Sequence, residues 1–259
     1  MKGAERPPAH FLAGRRPVVE VLKSGQPVGR IFIATGLAPN QTLGDIRTRA
    51  ERAAVPIAMV SKDELNRIAG GGNHQGVVAE TGRYRYAAFD RLVARENPCI
   101  LFLDGVMDPH NLGSLLRSAD GARFDGVVVR AHRAVGVTSA VRRVSAGASE
   151  VVAVAKVDNI PRALDRAKEK GLWIVGLDEE GEQDIWSSDL MQAPVGMVLG
   201  AEDRGLSKGV RAACDVVARV PSRGRIGSLN VAVAGAVAMF EAARRREAAS
   251  PRAEGPAER

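Results

Sequence analysis

Short apolar runs alternate with longer segments of mixed polarity through the second half of the chain. The run Cys99–Leu103 is apolar at every position, which is typical of a strand covered on both faces of a parallel sheet. The same reasoning predicts further strands at 126–129, 151–155, 173–177, 195–199 and 216–220. Helices are predicted at 109–123 and 160–170, with a last apolar helix from about Ser228 to Arg245. Strands that alternate with helices indicate an α/β domain.

The first half of the chain repeats this alternation on a smaller scale. Its patterns predict helices at 17–23, 43–54 and 62–68 and strands at 30–34, 57–60 and 76–80. We therefore expect a small N-terminal α/β domain over residues 1–80, a polar linker over 81–97 and a second domain over 98–246. Residues 247–259 are polar and rich in Pro, Glu and Ala, which predicts a disordered tail.

The net charge of +7 is distributed unevenly between the two expected domains. Residues 1–97 carry 15 Lys and Arg against 9 Asp and Glu, whereas the remaining residues carry 22 against 21. A basic excess permits a polyanionic partner without proving one, and it favours the first domain for contact with a nucleic acid. Aromatic residues make up only 4% of the chain, which disfavours recognition through stacked aromatic platforms.

The sequence predicts a soluble, cytoplasmic protein without a membrane segment or a metal. The N-terminus has no apolar signal-peptide core, and the longest apolar stretch, 229–243, is too short to cross a bilayer. Cys99 and Cys214 lie in apolar runs without metal-ligand spacing, which is typical of buried thiols in a reduced compartment. The four histidines are scattered along the chain.

The first chemically suggestive segment runs from Leu103 to Arg117 and joins a predicted strand to a predicted helix. Pro109 is well placed to begin that helix, and Asn111 lies in its first turn. Arg117 follows roughly two turns later, about 9 Å along the axis. These residues could form a reaction site, or Asp108 or Asn111 could cap the helix while Arg117 is solvated.

The second and third segments also place a turn between a strand and a helix. In the second segment Leu199 and Gly200 precede Glu202, and the glycine would let a ligand approach the backbone. The third is a basic, glycine-rich loop after Val220 that leads into an apolar helix carrying Asn230. A buried asparagine is either a structural hydrogen-bonding group or a ligand contact, because leaving it unpaired costs about 1–3 kcal/mol. No G-x-G-x-x-G fingerprint follows a strand in this domain, which argues against a dinucleotide-binding enzyme.

Together, in this order, the three segments resemble the signature motifs of the SpoU (TrmH-like) RNA ribose methyltransferases. In the first domain, residues 14–18 (Gly-Arg-Arg-Pro-Val) and 74–79 (His-Gln-Gly-Val-Val-Ala) are similar to the RNA-binding domain of the bacterial members that methylate a guanosine in 23S rRNA. The resemblance covers about residues 11–245. It departs from the family pattern at Asp203, at Ser222-Arg223 and at Ala232, where glycine, an apolar residue and serine are more usual.

The resemblance implies an α/β-knot (SPOUT) methyltransferase domain preceded by a small α/β RNA-binding domain. It further implies a homodimer that uses S-adenosylmethionine and acts on RNA, with rRNA favoured over tRNA. By the same match, the reaction centre and the cofactor site share Ser228 and Asn230. The reaction centre also contains Asn111, Arg117 and Glu202. The cofactor site also contains Leu199, Gly200, Val220 and Leu229. RNA contacts are expected from Arg15, Arg16, His74 and Gln75.

The role of Arg117 stays open between two interpretations. The family view makes this arginine a general base, but a guanidinium normally stays protonated in proteins. We favour a donor that stabilises the developing alkoxide or grips a phosphate. The sequence leaves open which nucleotide is modified and whether Arg117 serves its own subunit or its partner. The alternatives to a 23S rRNA guanosine are a tRNA guanosine or an rRNA adenosine as the nucleotide methylated at its ribose 2′-hydroxyl. A further alternative is a non-catalytic RNA-binding or ribosome-assembly protein of the same fold, although five matching reaction-centre residues argue against it.

Overall fold

The computed structural model describes residues 10–71, 73–187, 194–224 and 229–249. In this part of the chain, contacts define two compact units. The first unit consists of the described residues within Met1–Ala87, Met107–Arg117 and Val135–Val154. The second consists of the described residues within Ala88–Val106, Ser118–Ala134 and Ala155–Arg259. Two segments from beyond the expected boundary at residue 98 therefore pack with the N-terminal residues.

A four-stranded sheet forms the centre of the first unit as far as it is described, in the order β1-β4-β2-β3. Strands β1 and β2 are antiparallel to β4, whereas β2 and β3 are parallel. The elements are β1 (His10–Ala13), α1 (Arg15–Lys23), β2 (Val28–Ala34), α2 (Gln41–Arg52), β3 (Ile57–Val60), α3 (Lys62–Ala69) and β4 (Val77–Thr81).

The helix boundaries in this unit follow from local hydrogen bonds. Asn40 and Ser61 precede α2 and α3, and each side chain accepts a hydrogen bond from an amide in the first turn of its helix. Gly70 ends α3 in the left-handed conformation that glycine adopts without steric cost. The predicted helices and strands are all present within a few residues, and β1 is an additional strand.

The second sheet contains seven strands among the described residues, in the order β7-β6-β5-β10-β8-β11-β9. Five of its strand pairs are parallel: β5 with β6, β5 with β10, β8 with β10, β8 with β11, and β9 with β11. This parallel pairing confirms the predicted α/β class. Its strands are β5 (Cys99–Leu103), β6 (Gly126–Arg130), β7 (Ala153–Val157), β8 (Trp173–Leu177), β9 (Gln183–Asp184), β10 (Val195–Leu199) and β11 (Val216–Arg219). The remaining helices are α4 (Phe89–Val93), α5 (Pro109–Gly121), α6 (Ser139–Val144), α7 (Ala148–Val151), α8 (Ile160–Lys168), α9 (Lys208–Ala213) and α10 (Val231–Ala249).

Three sequence expectations need correction. The strand predicted at 151–155 begins later, at Ala153, because Val151 ends α7 and Val152 follows it in extended conformation. The expected linker over 81–97 begins inside β4 and contains α4. Helix α10 continues to Ala249, so residues 247–249 are helical and are not part of the expected disordered tail. Residues 250–259, and the expected helix start at Ser228, lie outside the described residues.

A buried ion pair joins α6 to α7 inside the first unit. Arg142 Nε donates to Glu150 Oε1 at 2.7 Å, and both side chains are at most 4% exposed. Arg142 Nη1 also donates to Thr81 Oγ1 on β4 at 2.7 Å. The Tyr84 hydroxyl donates to the carbonyl of Ser149, and burial together with the Glu150 carboxylate raises the Tyr84 pKa well above its usual range. Segment 135–154 is thus hydrogen-bonded to β4 through Arg142 and to the chain just after β4 through Ser149.

Helix α10 is anchored at its basic end. Arg244 and Arg245 both donate to the buried carboxylate of Glu241, and these bonds lower the Glu241 pKa to about 2. Arg246 Nη2 donates to the carbonyl of Ala122 at 2.7 Å. Although α10 is long and apolar, none of the helices within the described ranges meets the length and hydropathy needed to cross a membrane.

Candidate functional site

A cavity of about 820 Å³ lies at the carboxyl edge of the second sheet. It is formed by the ends of β8 and β10, by the turn after β10, and by the chain that enters α10. Its volume is in the range of small-molecule sites, which often occur at this edge of parallel sheets. The lining includes six of the residues predicted for the cofactor site and reaction centre: Leu199, Gly200, Glu202, Val220, Leu229 and Asn230.

The turn after β10 requires glycine at both of its ends. Ala201 and Gly205 exchange backbone hydrogen bonds at 3.1 and 3.0 Å, which closes the turn. A Cβ at Gly200 would lie 2.0 Å from the carbonyl carbon of Gly205, so a side chain there is sterically excluded. Gly205 has φ of +61°, a conformation that favours glycine. The cavity wall at Gly200 and Gly205 therefore presents backbone, and contact of this backbone with the cofactor stays a prediction.

The charged residues of the cavity lining are mostly acidic. Three exposed residues, Glu202, Asp203 and Arg204, form the tip of the turn. The opposite wall, at the end of β8, adds further carboxylates. The charged lining residues are Asp178, Glu179, Glu180, Glu202, Asp203, Arg204 and Arg211. This excess of carboxylates favours a ligand that carries positive charge.

Asn230 has a structural contact as well as a place in the cavity lining. Its Oδ1 accepts hydrogen bonds from the amides of Ala232 at 2.9 Å and Val233 at 3.3 Å, which caps the start of α10. Asn230 is exposed and not buried as expected, since it lies just before α10, and its hydrogen bonds show the structural role. A contact of Asn230 with the cofactor stays a prediction. Ser228, predicted for the reaction centre and the cofactor site, lies outside the described residues.

Asn111 and Arg117 lie on α5, in a segment of the first unit. Asn111 is 8% exposed, and Arg117 is exposed. The Asp108 carboxylate accepts a hydrogen bond from the His110 amide at 2.9 Å, so Asp108 caps the start of α5. The sequence had left open whether Asp108 or Asn111 caps this helix. The other described residues of the predicted reaction centre and cofactor site belong to the second unit.

The four residues predicted to bind RNA differ in exposure. Arg16 and Gln75 are exposed, and Arg15 Nε donates to the Gln75 carbonyl at 2.9 Å. His74 is 6% exposed, its Nδ1 accepts from the Gly76 amide, and its Nε2 lies 2.8 Å from Asn66 Oδ1. His74 thus supports the loop that presents Gln75, and direct contact with RNA stays a prediction for Arg15, Arg16 and Gln75.

Sequence reasoning missed part of the cavity wall. Asp178, Glu180, Leu206 and Arg211 also line it. A usable signal was present for Asp178, because this carboxylate directly follows the predicted strand 173–177 at the edge where ligands bind. Among the described residues, no group of three or more His, Cys, Asp or Glu side chains could hold a metal ion.

Two protein families match this chain over nearly all of its described length. Residues 98–240 match the SpoU rRNA methylase family, and residues 11–87 match a family described as RNA 2′-O ribose methyltransferase substrate binding. The Bacillus subtilis protein YacO, named as a TrmH family tRNA/rRNA methyltransferase, is 36% identical over 241 residues. That alignment covers 91% of this chain and 96% of YacO.

Solved structures show the same fold. The SpoU methyltransferase AviRb from Streptomyces viridochromogenes, in complex with AdoMet, aligns with a TM-score of 0.78 and 26% identity. The alignment covers 93% of this chain and 91% of AviRb. An AdoMet-bound rRNA methyltransferase from Sinorhizobium meliloti gives a TM-score of 0.77 at 23% identity, covering 92% of this chain and 87% of that protein. The second similarity concerns the fold alone.

Proposed function

The chain belongs to the SpoU methylase family, and from this membership we propose that it methylates a ribose 2′-hydroxyl in 23S rRNA, with guanosine as the target nucleotide. It is an RNA methyltransferase that uses S-adenosylmethionine. The 2′-hydroxyl is favoured by the match of residues 11–87 to the substrate-binding domain of 2′-O ribose methyltransferases. The observation that carries the proposal is the backbone-walled cavity at Gly200, where the sequence motifs predicted the cofactor.

The cavity fits S-adenosylmethionine in shape and in charge. Gly200 and Gly205 carry no side chains, so that the backbone at these two positions of the turn is open to contact with a ligand. The acidic lining suits a molecule that carries a sulfonium and an ammonium group. Calorimetry tests this fit: S-adenosylmethionine should bind and NAD should not, and the reverse result would contradict the assignment.

When bound, S-adenosylmethionine supplies an electrophilic methyl group on a sulfonium. The chain has to align the ribose oxygen with that methyl group and to manage one proton. We assign Arg117 to stabilise the developing alkoxide or to grip the adjacent phosphate, because arginine stays protonated. Asn111, Glu202 and Ser228 would orient this arginine and the polar ends of the cofactor. The alternative is that Arg117 acts as general base.

The substrate proposal favours rRNA over tRNA. Its support is the similarity of residues 14–18 and 74–79 to the RNA-binding domain of enzymes that methylate a guanosine in 23S rRNA. The names of the relatives include both tRNA and rRNA and do not discriminate between them. We further propose that residues 1–80 bind RNA, that the second domain over 98–246 is knotted, and that the protein acts in the cytoplasm. A non-catalytic RNA-binding protein of this fold is the competing proposal.

Arg16 is the exposed member of the basic pair on α1, and it should contact an RNA phosphate. Arg16→Gln should weaken RNA binding and lower the slope of log affinity against log salt by about one, the effect of one lost phosphate contact. Filter binding at several salt concentrations measures both quantities. The control is Arg162→Gln on α8, which removes the same charge elsewhere. Equal losses from both variants would contradict a specific surface at Arg16.

The apolar face of α10 should form the homodimer interface. Val233 and Phe240 on α10 are 49% and 52% exposed, and their spacing of seven residues places them on one side of the helix. Phe240→Asp should convert the dimer to a monomer at micromolar concentration, because it buries a charge in the interface. Sedimentation velocity measures this change, with Val151→Asp on α7 as the matched control. A wild-type monomer that still methylates RNA would contradict the prediction.

A further inference from the structure

The turn after β10 is held at its base by two carboxylates from neighbouring strands. We propose that Asp104 and Asp178 are positioning residues that fix this cofactor-binding turn, defined as residues 200–207, by accepting hydrogen bonds from two consecutive amides. The inference rests on the proposed function for its biological meaning. Its structural basis lies wholly in the second unit.

The register of the sheet places the two aspartates on either side of the turn. Strand β10 pairs with both β5 and β8, and Leu199 is aligned with Leu103 on one side and Leu177 on the other. Asp104 and Asp178 directly follow the flanking strands β5 and β8. Since parallel strands end at the same edge, both carboxylates flank Gly200 without any long loop to position them.

Asp178 is engaged through both of its oxygens. Its Oδ2 accepts from the Leu206 amide at 3.4 Å, and its Oδ1 accepts from the Glu180 amide at 3.1 Å and pairs with Arg211 at 3.3 Å. The side chain is 12% exposed. A Cβ at Gly205 would lie 2.8 Å from Asp178 Oδ2, so glycine there lets the carboxylate reach the turn.

Asp104 makes the equivalent contacts from the other side. Its Oδ2 accepts from the Ser207 amide at 3.4 Å, and its Oδ1 accepts from Arg130 Nη1 at 3.4 Å. Its backbone amide donates to the carbonyl of Leu199 at 2.8 Å. The carboxylate is 4% exposed, and a buried carboxylate is stable only when it is paired and hydrogen-bonded.

The two contacts together fix the end of the turn that leads into α9. The tip of the turn carries Glu202, and its base carries Gly200 and Leu206, which line the cavity. Without the carboxylates the amides of Leu206 and Ser207 would lose their partners, and the cavity wall could open. Pre-ordering this wall removes an entropic cost that S-adenosylmethionine would otherwise meet on binding.

Asparagine variants test the proposal, because a carboxylate offers two acceptor oxygens whereas the asparagine amide offers one. Asp178→Asn should raise the dissociation constant for S-adenosylmethionine about tenfold, the effect of losing one hydrogen bond to a charged group. Hydrogen exchange at the Leu206 amide should accelerate by a similar factor. Asp104→Asn should accelerate exchange at the Ser207 amide. Calorimetry and site-resolved exchange on the full chain provide these measurements.

The matched control is Asp165→Asn, an exposed position on α8, which should leave both quantities unchanged. If Asp104→Asn fails to fold, Asp178→Asn decides alone. Unchanged exchange at Leu206, or faster exchange with an unchanged dissociation constant, would overturn the proposal. Wild-type protein that does not bind S-adenosylmethionine would instead contradict the proposed function, so the two failures are distinguishable.

Discussion

Arg117→Ala should reduce methyl transfer to RNA by a factor of about 100 or more, which is the scale for losing one donor to developing charge in a transition state. Arg117 is exposed on α5 and is one of the residues that match the family's reaction centre. The affinity for S-adenosylmethionine should change little, because the proposed cofactor site is the cavity lined by Gly200, Val220 and Leu229, and Arg117 is not among its lining residues. Single-turnover assays with labelled cofactor separate the two effects.

Arg117→Lys gives the finer comparison. A lysine retains the charge but lacks the planar fork of donors, and it should not restore the full rate. Arg162→Ala on α8 removes an exposed helical arginine outside the site and should leave the rate unchanged. Near-normal turnover of a folded, dimeric Arg117→Ala protein would show that Arg117 is a solvated surface residue, and the assignment of the reaction centre would fail.

Arg142→Ala should lower the free energy of unfolding by about 3–5 kcal/mol, because removing one partner leaves a buried charge without compensation. The Glu150 side chain is fully buried, and Arg142 is its ion-pair partner. The variant would also leave Thr81 without the hydrogen bond that joins α6 to β4. Thermal and urea unfolding measure the loss.

The double variant Arg142→Met/Glu150→Leu is the control for this prediction. Replacing both members of a buried pair with apolar residues of similar size is often neutral or stabilising. It should therefore recover most of the lost stability. If Arg142→Ala costs less than about 1 kcal/mol, the value of an exposed ion pair, the pair is solvated and does not hold segment 135–154.

The parallel sheet was predictable because each central strand is an uninterrupted apolar run, as in Cys99–Leu103, between clear helix patterns. The short helices α6 and α7 were missed since six and four residues are too few to show a helical period. The run from Val151 to Ala155 looked like one strand, although the end of α7 displaces the strand start to Ala153.

The candidate site was predictable at Gly200, Val220 and Leu229, because the order of the three motifs marks them in the sequence. The contacts of Asp104 and Asp178 were not, since they depend on which strands flank β10, and strand order is set by long-range pairing. His74 was assigned to RNA, but its burial and its bonds to Asn66 and Gly76 depend on the folded loop.

Mass-spectrometric mapping of 2′-O-methyl nucleotides in 23S rRNA and tRNA, from cells with and without the gene, tests the central proposal most directly. We expect one 2′-O-methylguanosine of 23S rRNA to disappear without the gene. The wild-type gene should restore it, and the Arg117→Ala gene should not. A loss confined to tRNA would contradict the rRNA assignment. If no 2′-O-methyl nucleotide changes in either RNA, the proposed ribose methyltransferase activity is contradicted.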